Sequence, residues 1–292
     1  MNDFEFFSKE WKKQNDKLGI KELTIADVSD QIAKHRKGEY LKPIRTPLRS
    51  LDKVFNFGRG RLTLWTGYPQ SGKSEILRFL AFHYAMSQEC KVGIFTPESD
   101  TVIFLDELSQ MANQYLSNAD SYLSDHWTVL DIQDGMPSID DVLAIMDELV
   151  IKGHEFFIID PMNWITSSNY TSSAFESLRL SLTQLKQFAK RTNTCVNYVE
   201  HPKTPQANKD GEYPKANTFM VNGGVMHWNK VDSVVIMHRI RNIGEFGAMS
   251  SKSDDVDFEV AKQKVQRIYG YPGTVRLKYN PEIFSYDDYN TF

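Results

Sequence analysis

The sequence lacks any apolar run long enough to cross a bilayer as an ordinary helix, which needs about 18 or more consecutive apolar residues. Internal repeats and low-complexity tracts are also missing. It has two cysteines, and each lies beside an apolar run typical of a buried strand, which predicts reduced, core-packed thiols at Cys90 and Cys195 rather than a disulfide or metal pair. There is no basic excess either: the net charge is -4. Any DNA or RNA must therefore be held by local loops rather than by the whole surface.

What is present fits a globular protein of 292 residues, 41% apolar and 25% charged. The N-terminus sets Phe4, Phe7 and Trp11 at helical spacing among charged residues, so it is neither a signal peptide nor a membrane span. No zinc-binding segment is recognisable. We expect a soluble, intracellular protein that is either a self-contained domain or the C-terminal part of a longer chain.

Residues 1–45 are predicted to form a short helical N-terminal arm. Thr24 and Asp27 have the spacing of a capping box that starts a helix. The apolar side chains of that helix share one face: Ile25, Val28 and Ile32. So short a helix is marginal alone and needs a surface to cover this face. The domain of the same chain and a neighbouring subunit are equally consistent with the sequence. Pro43 and Pro47 separate the arm from the rest of the chain.

Residues 46–292 are predicted to form one α/β domain with a mostly parallel central sheet, because strand-like and helix-like segments alternate. The predicted strands are 62–66, 91–96, 127–132, 156–160 and 194–200, and the predicted helices are 73–86, 102–116, 139–150 and 175–190. Beyond Glu200 we predict a polar stretch at 202–217, a strand at 233–237, a polar break at 244–257 and two closing strands at 258–262 and 274–279. The nearly continuous apolar strands suit a sheet covered on both faces.

The most specific motif is a complete phosphate-binding loop, or P-loop, of the form G-x-x-x-x-G-K-[ST]. It consists of Gly67, Tyr68, Pro69, Gln70, Ser71, Gly72, Lys73 and Ser74, between an apolar strand and a helix. In such a loop the backbone N–H groups surround the phosphates of ATP, and the lysine reaches the β- and γ-phosphate oxygens. The Ser74 hydroxyl is the expected Mg²⁺ ligand.

Two acidic residues at strand ends complete the predicted chemistry. Asp160 ends the apolar run 156–159 and is favoured as the second Mg²⁺ residue, although an apolar run ending in Asp is common. Glu98 follows the strand after the P-loop helix, at the edge where doubly wound sheets hold their ligands. It could activate the attacking water or merely cap the next helix.

Together these segments resemble the helicase domain of the DnaB and Twinkle family, including the helicase halves of phage helicase-primases. The resemblance runs from about Thr46 to Tyr279. Beside the P-loop it rests on the pair Glu98-Ser99, on Asp160 with Pro161 and Asn163, and on the run from Glu200 to Lys203. It also rests on the stretch with Asn222, Gly223, Gly224, Asn229, Lys230, Asp232, His238 and Arg239. The resemblance implies a RecA-like P-loop NTPase in which Glu98 is catalytic.

The same resemblance assigns further roles. His201 would sense the γ-phosphate, although a lone histidine at a strand end is more often solvated or in the core. Arg239 would lie at the nucleotide. Single-stranded DNA would meet Lys203, Lys209, Lys215, Asn222, Gly223 and Gly224, whereas the three lysines equally suit a merely solvated loop. Family members also place a Lys-x-Arg pair near a glycine turn, where it acts on the ATP of the neighbouring subunit. This sequence has no such pair, so that role is assigned only to the cluster of Lys262, Lys264 and Arg267.

These observations predict an ATP- and Mg²⁺-dependent DNA helicase, a homo-hexameric ring that moves on single-stranded DNA, with 5′ to 3′ polarity implied by the family. A primase or another replisome protein is a further candidate partner. No membrane partner is expected, and the location would be the cytoplasm of a bacterial or phage-infected cell. The alternative is a RecA- or KaiC-like ATPase that serves as a loader, recombination filament or switch without unwinding.

Overall fold

The computed structural model describes residues 21–132, 135–166, 173–203, 214–243 and 249–289. The chain divides into two compact units, Met1–Lys42 and Pro43–Phe292. The predicted apolar positions Phe4, Phe7 and Trp11 lie outside the described residues.

The described part of the first unit is a 3-10 turn, Ala26–Val28, followed by α1, Ser29–Arg36. The backbone N–H and the hydroxyl of Thr24 both donate to Asp27 Oδ2, at 2.7 and 2.6 Å, which is only half of the predicted capping box. Thr24 is not the N-cap, since Ile25 precedes the 3-10 turn and Val28 precedes α1. The helix has eight residues and is shorter than expected. Ile25 is 79% exposed, and Val28 and Ile32 are half-buried.

The second unit contains one twisted sheet. Its strands are β1 Arg61–Thr66, β2 Lys91–Phe95, β3 Trp127–Leu130, β4 His154–Ile159, β5 Cys195–Glu200, β6 Ser233–Ile243, β7 Met249–Gln263, β8 Gly273–Asn280 and β9 Ser285–Asp288. They are arranged in the order β3-β2-β4-β5-β1-β6-β7-β8-β9. In this order, all neighbouring strands between β3 at the edge and β6 are parallel. The neighbouring strands from β6 to β9 are antiparallel. The mostly parallel sheet is confirmed.

Helices cover both faces of this sheet. They are α2 Lys73–Gln88, α3 Thr101–Ala112, α4 Ala119–His126, α5 Ile139–Ile151, α6 Ala174–Thr192, α7 Gly224–Lys230 and α8 Gln266–Tyr269. Alternate residues of each central strand enter opposite cores: Trp65 packs with α2 and α3, whereas Leu64 packs with α5 and α6. Cys90 and Cys195 are buried and unpaired, as predicted.

The sequence-based outline needs correction mainly after Glu200. Part of the polar break predicted at 244–257 belongs to β7, which begins at Met249 and forms a long hairpin with β6. Three strands close the sheet instead of two, because β9 follows β8. The short helices α4 and α7 were not predicted. Both have too few residues to show a clear helical period in the sequence.

Candidate active site

The P-loop lies at the centre of the sheet, because β1 pairs with β5 on one side and β6 on the other. It leaves β1 after Thr66 and enters α2 at Lys73. Gly67 and Gly72 both have positive φ, at 147° and 89°. A Cβ at Gly67 would come within 2.4 Å of the Met237 carbonyl oxygen. Glycine is therefore required there by both conformation and space.

Lys73, the first residue of α2, is held inside the loop. Its side chain is buried, and its ammonium donates to the carbonyls of Gly67 at 3.1 Å and Tyr68 at 3.0 Å. Burial lowers the pKa of Lys73, and the nearby Asp160 opposes that shift. The cation thus lies at the positive end of a helix dipole, among backbone groups that suit a phosphate.

Asp160 follows β4, where its backbone N–H donates to Phe95 O at 2.8 Å. Its carboxylate is buried beside the Ser74 hydroxyl. Burial raises the pKa of Asp160 to about 6, against the opposing effects of Ser74 and Lys73. A buried carboxylate beside a serine hydroxyl is an oxygen donor set that fits Mg²⁺, whose charge would offset the cost of burying the carboxylate.

Several buried polar atoms around the P-loop have no hydrogen-bond partner within the described residues. They are Thr66 Oγ1, Ser71 Oγ and His201 Nδ1. Hydroxyl and imidazole groups can donate to phosphate oxygens, so a polyphosphate at this edge would satisfy them. The residues present thus fit a nucleotide.

Glu98 lies at the same edge of the sheet. One carboxylate oxygen accepts from Trp164 Nε1 at 3.0 Å, and the other lies 3.8 Å from His201 Nε2. Glu98 does not cap the next helix: that position belongs to Asp100, which accepts from the N–H groups of Val102 and Ile103. The structural alternative that the sequence left open for Glu98 is therefore wrong.

His201 is half-buried beside this carboxylate. Burial and the charge of Lys73 lower its pKa, while Glu98 opposes the shift. The electrostatic influence of Lys73 and the contact with Glu98 place His201 at the P-loop edge rather than in the core.

Sequence reasoning did not single out two residues that the tertiary structure brings into this site. Trp164, in a 3-10 turn after β4, holds Glu98. Glu200, opposite Thr66 in the sheet, is a half-buried carboxyl whose pKa is raised to about 7 by burial and then by the charge of Glu98. Glu200 begins the run to Lys203 that supports the family resemblance, but no motif assigns it a role and none marks Trp164, because their proximity depends on how the strands are ordered.

The residues expected to contact DNA belong to a segment that the structure describes only in part. Lys203 is exposed, Lys215 Nζ lies 3.5 Å from Glu259, and Lys209 lies outside the described residues. Gly223 has a φ of 73°, and a Cβ at Gly224 would come within 2.5 Å of the Thr218 carbonyl. Local packing at the start of α7 is therefore sufficient to explain both glycines. Asn222 is exposed, and its carbonyl bonds to His227.

The cluster of Lys262, Lys264 and Arg267 lies at the opposite end of β1 from the P-loop. Lys264 is 3.6 Å from Asp232, whose carboxylate accepts from the N–H of Leu62 at the start of β1. The Lys262 ammonium donates to Trp228 O, and burial lowers its pKa to about 8. Arg267 is exposed on α8 and forms no hydrogen bond or ion pair with another described residue. About 17 Å of strand separates this cluster from the P-loop of its own chain.

Arg239 extends from β6 on the face that carries α2. Its guanidinium lies 3.6 Å from Asp254 and 5.6 Å from the centre of the Tyr279 ring. It follows Met237, whose carbonyl abuts Gly67, by two residues, which places it just past the P-loop. A role of Arg239 at the nucleotide stays a prediction.

A central P-loop, an acidic residue on the strand beside it and a mostly parallel sheet define a P-loop ATPase of the RecA type. Residues 37–207, more than half of the chain, match the AAA domain family. The chain belongs to this family.

Among curated proteins, the chain is similar to a Twinkle homolog of Arabidopsis thaliana that is chloroplastic and mitochondrial. The two are 26% identical over 266 residues, covering 84% of this chain and 36% of that protein. The chain thus spans about a third of the length of this relative. The resemblance to the DnaB and Twinkle family predicted from the sequence is confirmed.

Solved structures share the fold. An isolated ATPase domain of known structure has a TM-score of 0.70 at 14% identity, covering 92% of this chain and all of that one. A DnaB-like replicative helicase, described with its interactions with primase, has a TM-score of 0.66 at 14% identity and covers 93% of this chain and 68% of that one. The RadB recombinase reaches 0.60 at 16% identity, with coverages of 85% and 100%. These likenesses confirm the RecA-like fold.

The described residues include no helix with the length and apolar character needed to cross a membrane.

Proposed function

We propose that this chain is the motor domain of an ATP-dependent DNA helicase that acts in replication as a homo-hexameric ring on single-stranded DNA. The observation that carries the proposal is the proximity of Glu98 and His201 beside a complete P-loop, in a chain 26% identical to a Twinkle homolog. A module that only binds nucleotide has no need of a carboxylate placed to activate water.

Each residue of the site has a distinct role in this proposal. Lys73 binds the β- and γ-phosphates, and Ser74 and Asp160 hold Mg²⁺, which when bound would neutralise charge on the phosphate oxygens. Glu98, held by Trp164, takes the proton from the water that attacks the γ-phosphorus. His201 contacts the γ-phosphate with the nitrogen that has no partner, while its other nitrogen faces Glu98. The presence of the γ-phosphate is thereby relayed to the segment that follows β5.

The position of Arg267 supports a ring. It lies at the far end of β1 from its own P-loop, so it can act on ATP only in a neighbouring subunit. Lys262 and Lys264 already contact Trp228 and Asp232. Arg267 is also the one member with the planar guanidinium that such a trans-acting role usually uses. We therefore assign the role to Arg267.

Single-stranded DNA would be held by the segment after β5, with Lys203, Lys209, Lys215 and Asn222. This segment is linked to the P-loop directly, because the Tyr68 hydroxyl donates to the Pro214 carbonyl at 2.7 Å. A change at the phosphates can therefore reach the segment proposed to hold DNA.

The second candidate is a RecA- or KaiC-like ATPase that forms a filament or loads another protein without unwinding. The fold likeness to the RadB recombinase is the observation that favours it.

Strand displacement from fork substrates with either a 5′ or a 3′ tail separates the two functions and measures polarity. We expect ATP-dependent displacement that requires the 5′ tail, and closed or lock-washer rings in electron micrographs with an ATP analogue and oligonucleotide. ATP hydrolysis without displacement, together with open filaments, would establish the second candidate.

A further inference from the structure

The last strand, β9, lies against the P-loop helix, although it is the outermost strand in the sheet order. Its Tyr286 is 2% exposed. The centre of the Tyr286 ring lies 5.8 Å from that of Phe79 on α2 and 4.9 Å from that of Tyr279 on β8. Residues more than 200 positions beyond the P-loop in the sequence thus pack directly beneath it.

Within the described residues, the Tyr286 side chain makes one hydrogen bond, and that bond is with the P-loop. Its hydroxyl donates to the Gly72 carbonyl oxygen at 3.2 Å. The same oxygen accepts the helical hydrogen bond from Ile76 N at 3.0 Å, so it has two donors. Burial raises the pKa of Tyr286 well above its usual range, and the phenol therefore stays a neutral donor.

The Gly72 carbonyl has a direct connection to phosphate binding. It forms one planar peptide unit with the N–H of Lys73, and the two groups point in opposite directions. A hydrogen bond that holds the carbonyl therefore also holds the first N–H of α2, one of the unpaired helix-start donors that bind phosphate. Gly72 has a φ of 89°. Because glycine has no Cβ, its own backbone does little to fix the orientation of the Gly72–Lys73 peptide.

Gly72 also leaves the space that this contact needs. A Cβ at this position would lie 2.8 Å from the Tyr286 hydroxyl oxygen. The glycine and the tyrosine are thus complementary in shape as well as in hydrogen bonding.

Tyr286 is itself anchored independently of the P-loop. It pairs with Tyr279 in the β8–β9 ladder. Two residues further on, the Asp288 carboxylate accepts from the backbone N–H of Arg49 at 3.0 Å and of Ser50 at 3.1 Å, and from the Ser50 hydroxyl. The strand is therefore fixed to the segment that precedes β1, and it can act as a rigid support.

We propose that Tyr286 is a positioning residue for nucleotide binding, which orients the Gly72–Lys73 peptide of the P-loop from the far edge of the sheet. The inference rests on the proposed ATPase function, and it assigns to β9 the positioning of a P-loop peptide that binds the nucleotide.

The test is Tyr286→Phe in the full chain, with steady-state ATP hydrolysis and equilibrium binding of a fluorescent ATP analogue. Loss of one such hydrogen bond should raise KM for ATP and the Kd of the analogue by about 2- to 10-fold. The kcat should stay within about twofold, because Glu98 and Asp160 are untouched. A merely structural hydroxyl would lower the urea midpoint and leave KM unchanged.

Tyr279→Phe is the matched control. It removes a phenol hydroxyl from the neighbouring strand, whereas the hydrogen bond to the P-loop is made by the Tyr286 hydroxyl. It should leave KM unchanged. If Tyr286→Phe does not fold, Asp288→Asn loosens the anchor of β9 and should still raise KM. An unchanged KM in folded Tyr286→Phe, or an equal rise in Tyr279→Phe, overturns the inference. A wild-type protein without ATPase activity overturns the proposed function instead.

Discussion

Three carboxyl groups at one edge of the sheet differ in exposure and in pKa because their surroundings differ. Asp160 is buried against Ser74 and Lys73, with its pKa raised to about 6, which suits a metal ligand. Glu98 is 46% exposed and accepts from Trp164, so it can reach a water molecule. Glu200 is half-buried, and its pKa is raised to about 7. Burial and neighbouring charges thus assign different chemistry to similar side chains.

Glu98→Gln should retain ATP and Mg²⁺ binding but slow hydrolysis by roughly 10²-fold or more, the usual scale for a lost general base. The amide keeps an oxygen that can accept from Trp164, so the position of the side chain is preserved. Single-turnover hydrolysis together with nucleotide titration measures the two effects. Lys73→Ala is the comparison variant, because it should weaken binding as well. Loss of binding in Glu98→Gln would make Glu98 a metal ligand instead.

Glu200 should make stability depend on pH. Its pKa in the folded protein, about 7, is above the ordinary 4.5, so its contribution is fully present below about pH 4.5 and is lost as the pH rises through 7. We expect this loss to reach up to about 3 kcal/mol. Urea unfolding of wild type and Glu200→Gln between pH 4.5 and 8 measures it. Asp160 shifts the stability in the same direction, so the effect of Glu200 is the difference in pH dependence between wild type and Glu200→Gln. Identical pH dependence of the unfolding free energy in the two proteins would contradict the prediction.

At the scale of elements, the parallel half of the sheet holds the candidate site residues, and the antiparallel half packs against the P-loop. The carboxyl ends of β1, β2, β4 and β5 meet at one edge, which brings the P-loop, Glu98, Asp160 and His201 together. The strands from β6 to β9 supply Met237 and Tyr286 against the P-loop. The segment after β5 joins the two halves and leads to the residues proposed to contact DNA.

Neutralising Lys203, Lys209 and Lys215 together should weaken single-strand binding and keep most of the basal ATPase. Removing one phosphate contact should reduce the salt slope by about 0.7 for a single strand. Binding titrations at several salt concentrations measure this slope. The matched control replaces Lys53, Lys190 and Lys278, which are exposed and lie outside the segment after β5. Equal slopes in both variants would show that this segment does not face the nucleic acid.

At the scale of the whole molecule, the P-loop and Arg267 lie at opposite ends of the parallel strands. In the proposed ring, one chain would therefore present its P-loop at one edge and the Arg267 guanidinium at the other. Head-to-tail contacts between identical chains would join them, and such contacts close into rings when the rotation allows.

Subunit mixing tests this arrangement. Arg267→Ala alone should lower ATPase about 10³-fold, as is usual for a lost arginine finger. Mixed with equimolar Lys73→Ala, which is inactive but keeps Arg267, about a quarter of randomly assembled head-to-tail interfaces should regain a complete site. Lys264→Ala should lose much less activity, since its ammonium already pairs with Asp232. A mixture no more active than its components would place the role elsewhere.

The arm is predicted to hold neighbouring subunits together. In the described part of its unit the apolar face of Ile25, Val28 and Ile32 is exposed or half-buried. Burying three such side chains against a neighbour would contribute roughly 1.5 to 3 kcal/mol each. Deleting Met1–Glu39 should leave a folded, ATP-binding domain that sediments as a monomer and has lost stimulation by DNA. A truncated protein that still forms rings and unwinds forks would show that the arm is only a tether.

Local sequence was sufficient for the parallel core and the P-loop. The strands from β1 to β5 are short and rich in apolar residues, and the loop motif has fixed spacing, so both can be recognised from neighbours along the chain. The order of the strands decided the rest. It brings Trp164, Glu200 and Tyr286 to a loop more than 90 residues away in the sequence, which no local pattern records. It also distinguishes Lys262 and Lys264, which contact Trp228 and Asp232 of their own chain, from the exposed Arg267. Only tertiary packing creates hydrogen-bond partners and burial. These therefore determine which charged side chains are available for the proposed chemistry and which are bound within the chain.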